Sequence, residues 1–131
     1  MGIVKRLWDK KIIFMDITQT ATETFINNNS LISTIIEEIK LSKDEFGELQ
    51  IQITISKFSK KSNFSKINLL FNDIVEFNFY YNSDYNFYNI EDYKLLYFNN
   101  QIYLSLDPDQ SIKDKSEHDS DFILAKSLKL L

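Results

Sequence analysis

Two strand-like runs, 93–98 and 101–106, flank the pair Asn99-Asn100. Asparagine tolerates the left-handed backbone that both central residues of a type I′ turn require, so the pair predicts a two-residue hairpin. Such a turn sets Tyr97 opposite Ile102, Leu95 opposite Leu104 and Tyr93 opposite Leu106 on one face. Leu96 then meets Tyr103, and Lys94 meets Ser105, on the other. Each partner falls on a consistent side under the period-two rule, so a chain in this register is committed to antiparallel pairing. Pro108, the only proline, cannot donate to a ladder and predicts that the second strand ends at Leu106.

Other segments repeat this pattern. Leu49, Ile51, Ile53 and Ile55 alternate with Gln50, Gln52, Thr54 and Ser56, which predicts a strand with one wet face. The segment 31–41 admits a helix through Ile32, Ile35, Ile36 and Ile39, but its β-branched content and the following SKDEFGE turn, in which Gly47 supplies a positive φ, favour a strand and a hairpin. Residues 57–66 form a Ser/Lys-rich loop, after which Ile67, Leu69 and Phe71 begin a further strand. Asn72-Asp73 is a turn or bulge, and beyond it Val75, Phe77, Phe79 and Tyr81 are expected to line one face before a polar loop at 82–89. Residues 122–131 suit a strand with Phe122, Leu124, Leu128 and Leu130 on one side, or a helix through Ile123, Leu124, Leu128 and Leu131. Near the N-terminus Thr20 and Glu23 stand in capping-box positions for a short helix within 18–28. With 131 residues, 44% of them hydrophobic and 15% aromatic, the chain suits one core. The expectation is a single mainly β domain over 1–131: one antiparallel sheet, strongly twisted or partly closed, packed against an N-terminal segment that contains Trp8 and a short helix.

The segment 107–121, DPDQSIKDKSEHDSD, carries six acidic residues against two lysines, a local charge that equals the net charge of −4 of the whole chain. It reads as a solvated acidic loop held between two strands, of a kind that meets a basic partner. Asp107, Asp109, Asp114, Glu117, Asp119 and Asp121 are therefore candidate partner-binding residues, joined by the loop tyrosines Tyr85 and Tyr88, which supply rigid amphipathic contact area. For Tyr80 and Tyr81, core or cross-strand packing is the better reading.

Chemistry is poorly provided for. His118, among Glu117, Asp119 and Asp121, suits a solvated loop histidine better than an acid–base catalyst, because no nucleophile or oxyanion donor is placed with it. The aspartates at 107, 109, 114, 119 and 121 lack the spacing and the glycine of a calcium loop. Gly2 and Gly47 are the only glycines, which excludes glycine-rich phosphate loops, and cysteine is absent, which excludes thiolate zinc sites and disulfides. The residues thus imply a non-enzymatic binder with no cofactor and no metal. An acidic balance disfavours nucleic acid or an anionic membrane as the partner. The short apolar run after Lys10 and Lys11 is too brief for a secretory segment, so a cytoplasmic location is expected.

The order IEEIKLSKDEFGELQIQITI, INLLFNDIVEF, IEDYKLLYFNNQIYLSLDPDQ and DSDFILAKSLKL resembles the small acidic β-sheet immunity proteins that bacteria encode beside polymorphic or contact-delivered toxins. The resemblance covers about the last three-quarters of the chain and rests on a strand order, an aromatic hairpin leading to Asp-Pro, and an acidic segment before a final strand. It implies a cytoplasmic protein that binds and blocks a cognate protein toxin, often a basic nuclease, and carries over no functional residue. A different acidic binding module, such as a secretion chaperone or a phage-encoded inhibitor that mimics nucleic-acid charge, would use the same loop.

Overall fold

A computed structural model describes residues 31–57 and 66–131. Seven strands make one sheet: β1 (Thr34–Lys43), β2 (Leu49–Lys57), β3 (Lys66–Asn78), β4 (Asn89–Ile90), β5 (Lys94–Phe98), β6 (Gln101–Asp107) and β7 (Ser120–Leu130). The order across the sheet is β4-β1-β2-β3-β7-β6-β5, and every pairing is antiparallel. The sheet curls into a half-barrel, and the described residues include no helix. The expected helix within 18–28, the packing of Trp8 and most of the loop 57–66 lie outside the described residues.

β1 is a strand, as its β-branched content favours, and pairs with β2 from Thr34↔Lys57 to Lys43↔Leu49. Gly47 takes φ +81° at the connecting turn. Asp44 sets that turn: its Oδ1 accepts the amides of Phe46 at 2.8 Å and Glu48 at 2.9 Å, while its carbonyl accepts the amide of Gly47 at 3.0 Å. Ile51, Ile53 and Ile55 are fully buried. Each contributes about 1.5–3 kcal/mol of apolar burial. The alternate side chains form a polar ladder, in which Gln50 bonds Ser42 at 3.1 Å and Asn72 at 3.2 Å, and Thr54 donates to Asn68 at 2.7 Å.

β3 runs unbroken through Asn72-Asp73, so the pair does not form a turn between strands. Asp73 is left-handed at φ 55°, and the register against β7 shifts between Ile74 and Glu76. These irregularities rephase the strand. Leu69 and Phe71 belong to the main core, Ile74, Phe77 and Phe79 pack against it, and Val75 is exposed. The expected face of Val75, Phe77, Phe79 and Tyr81 is therefore corrected at Val75, which falls within the shift, and at Tyr81, which is exposed and packs edge-on against Phe87.

β7 is a strand, yet its sides also differ from the expectation. Ile123, Ala125 and Leu128 enter the main core, whereas Phe122 and Leu124 join Tyr103, Leu96 and Phe98 in a second, smaller cluster. Because Tyr103 alternates with the core residues Ile102 and Leu104, this cluster lies on the outer face of the sheet. The β5–β6 hairpin has the expected register, Leu95↔Leu104, Leu96↔Tyr103 and Tyr97↔Ile102, with Asn99 and Asn100 both left-handed at φ 51° and 60°. β6 extends one residue beyond the expected end, to Asp107. Among the described residues, no helix is long and apolar enough to cross a membrane.

Candidate functional site: the acidic segment and the tyrosine loop

The acidic segment leaves the sheet at Asp107 and re-enters at Ser120, two residues that are paired across β6 and β7. Between them the chain folds back over the outer face. Lys115 Nζ lies 5.7 Å from the ring centroid of Tyr103 and 5.5 Å from that of Phe122, and 4.0 Å from the carboxylate of Glu76 on β3. Tyr103 is fully buried although it points away from the main core. The segment is thus a cover for the second apolar cluster.

Asp119 fastens this cover. Its Oδ1 accepts Lys94 Nζ at 2.9 Å and the amide of Asp109 at 2.8 Å. Its Oδ2 accepts Lys94 Nζ at 3.2 Å, the Tyr103 hydroxyl at 2.6 Å and the amide of Ser116 at 3.0 Å. Lys94 Nζ also donates to the carbonyl of Asp114 at 2.8 Å. Burial alone would raise the Asp119 pKa, but the hydrogen bonds from Tyr103, Asp109, Ser116 and Lys94 outweigh it and hold the group at about 2. Burial and the neighbouring carboxylate push the Tyr103 hydroxyl upward.

A second carboxylate from the segment is also internal. Asp121, left-handed at φ 50° and 3% exposed, accepts the amide of Tyr80 on Oδ1 at 2.7 Å. Tyr85 sets its hydroxyl 3.1 Å from Asp121 Oδ2 and also bonds Asp107. Burial first, then the charge of Asp107, raise the Asp121 pKa against the lowering effect of the bonds from Tyr80 and Tyr85. Burial and the bond to Asp107 likewise raise Tyr85.

The reading of 107–121 as a solvated loop is therefore corrected at Asp119 and Asp121, whose carboxylates face inward and are occupied by internal donors. Tyr85 is half-buried, with its hydroxyl turned to the same carboxylates. Asp109 accepts the amide and hydroxyl of Ser111 at 3.0 and 2.7 Å, which hold its carboxyl below the usual range. Asp107, Asp114, Glu117 and Tyr88 are exposed. His118 is exposed beside Glu117, 3.8 Å away. Tyr80 and Tyr81, expected to pack across strands, are exposed too, so the tyrosine loop 79–88 meets the base of the acidic segment with Tyr80, Tyr81 and Tyr88 outward. A cleft of about 220 Å³ opens where they join, with Tyr85, Phe87, Leu106 and Pro108 against Glu91, Asp92 and Asp107.

Composition hid Lys94 and Tyr103, which proved structural partners of the acidic segment. Their signal was positional: both sit on the outer face of the hairpin, where a lone lysine beside Leu96 and Phe98 needs a counter-charge. Among the described residues, no group of three or more histidine, aspartate or glutamate side chains is arranged to hold a metal ion. No family model, curated protein or solved structure matches this chain.

Proposed function

We propose that this chain is a bacterial immunity protein that binds a cognate toxin in the cytoplasm and blocks it without catalysis. One observation carries the reading: Asp114 and Glu117 are held outward on a segment whose path is fixed by the buried Asp119–Lys94 pair. Charges displayed on an ordered loop favour encounter with a basic partner and reduce the ordering cost of binding. The exposed rings of Tyr80, Tyr81 and Tyr88, on the loop that joins the base of that segment, supply apolar contact area beside the charge. A basic nuclease toxin suits this combination, because carboxylates that compete with nucleic acid for the same basic groove both attract and occlude it.

The experiment starts from the neighbouring reading frames: if one encodes a secreted protein with a variable C-terminal domain, that domain is coexpressed with this chain, and if none does, the immunity reading is rejected. Restored growth, together with a complex that copurifies, supports the proposal. Growth arrest with no complex rejects it, and a complex that leaves toxicity intact moves the chain to the other acidic binding modules.

A further inference from the structure

We propose that Asp107, Tyr85 and Asp121 share one proton beyond that of the phenol and act as a pH-sensitive latch that fastens the tyrosine loop 79–88 to the ends of β6 and β7. The proton count follows from geometry. A phenol has a single hydrogen to donate, yet the Tyr85 oxygen is within bonding distance of both Asp107 Oδ2 and Asp121 Oδ2. With both carboxylates ionised, one of these contacts has no hydrogen, and two anions face one oxygen. A proton on Asp121 Oδ2 completes the chain: Asp121 donates to Tyr85, and Tyr85 donates to Asp107. Asp121 is the protonated member because it is 3% exposed, whereas Asp107 is exposed.

Among the described residues, the surroundings supply no counter-charge. β6 contributes Asp107, the tyrosine loop contributes Tyr85 and the Tyr80 amide, and the chain after β4 contributes Glu91 and Asp92 across the cleft. Among the described residues, neither Asp107 nor Asp121 forms an ion pair with a lysine, arginine or histidine. The raised Asp121 sets the sign. Its folded-state pKa lies above the unfolded one, so the latch contribution is complete below the unfolded pKa and is lost as pH rises through the folded value. The loop so fastened carries Tyr80, Tyr81 and Tyr88, and any effect of the latch on partner binding rests on the function proposed above.

The latch is tested without a partner, on the full chain. Carboxyl NMR should show Asp121 titrating above the ordinary aspartate value, with the Tyr80 amide shift following the same curve and its intrinsic-rate-corrected exchange quickening as pH rises. Asp121→Asn places a permanent donor opposite Tyr85 and suits the left-handed backbone, so it should abolish the pH dependence of Tyr80 exchange and keep the slow, low-pH rate. Tyr85→Phe keeps the ring beside Tyr80 but removes the shared oxygen, and should leave Tyr80 exchange fast at both ends of the range. An Asp121 that titrates at or below the ordinary value, or wild-type Tyr80 exchange that is unchanged across its titration, overturns the proposal whatever the outcome of the coexpression test.

Discussion

Lys94 and Asp119 meet at 2.9 Å with side chains 6% and 0% exposed, so a segment dense in like charges is held to the sheet by an ion pair of its own. The pair closes a cover over Tyr103 and Phe122, and breaking it strands several donors at once. Asp119→Ala leaves the Tyr103 hydroxyl and two amides without this acceptor, and the Lys94 ammonium without its counter-charge and with only the carbonyl of Asp114. The expected loss is about 3–5 kcal/mol, as for other half-broken buried pairs. Replacing both partners with apolar residues, Lys94→Met with Asp119→Leu, should cost less than Asp119→Ala alone. Urea unfolding of the three proteins measures the difference.

The same carboxylate predicts acid tolerance in this part of the fold. Asp119 is held at about 2, below its unfolded value, so its contribution is present above the unfolded pKa and is lost as pH falls through the folded one. Tyr103→Phe removes one donor and keeps the ring. It should raise the Asp119 titration, read by carboxyl NMR, and cost about 1.5–3 kcal/mol near neutral pH as a hydrogen bond to a charged group.

At the hairpin tip, Asn99 and Asn100 both adopt positive φ. Asn99→Ala should destabilise the protein by about 1–2 kcal/mol, since alanine gains nothing locally to offset the left-handed conformation. Asn100→Gly should stabilise it slightly, because Asn-Gly is the preferred type I′ pair. Thermal unfolding of the two variants should move in opposite directions.

That hairpin was legible because turn chemistry and side-chain alternation act within a few residues of each other. β2 was legible for the same reason, and Gly47 marked the turn before it. The sides of β3 and β7 were not: Asn72-Asp73 marks an irregularity, but the pair does not tell that the left-handed Asp73 and the register shift near Val75 rephase the faces within one continuous strand. Phe122 and Leu124 thereby part company with Leu128. The site failed for a different reason. Asp119 and Asp121 look like any other acids of a polar run, and what separates them is a lysine 25 residues away and a tyrosine 36 residues away. Burial of a charge is decided by such long-range partners, which local pattern cannot contain.

The outward charges of the segment give the last prediction. Asp114 and Glu117 are exposed, and among the described residues neither side chain accepts a bond from Lys94 or from the amides that hold the cover in place. Asp114→Lys with Glu117→Lys brings the formal net charge from −4 to neutral. Unfolding free energy should stay within about 1 kcal/mol of the parent, as two surface substitutions allow. Under the proposed function these are rim charges, which act mainly on encounter, so association with a basic toxin should slow at low salt and lose much of its salt dependence, while dissociation changes little. Asp119→Lys is no substitute for this variant, since it puts a second ammonium against Lys94 and lifts the cover. Stopped-flow association at low and high ionic strength separates the cases. An unchanged low-salt on-rate for the double reversal would take the segment out of the interface and leave the exposed tyrosines of 79–88 as the surface to test next.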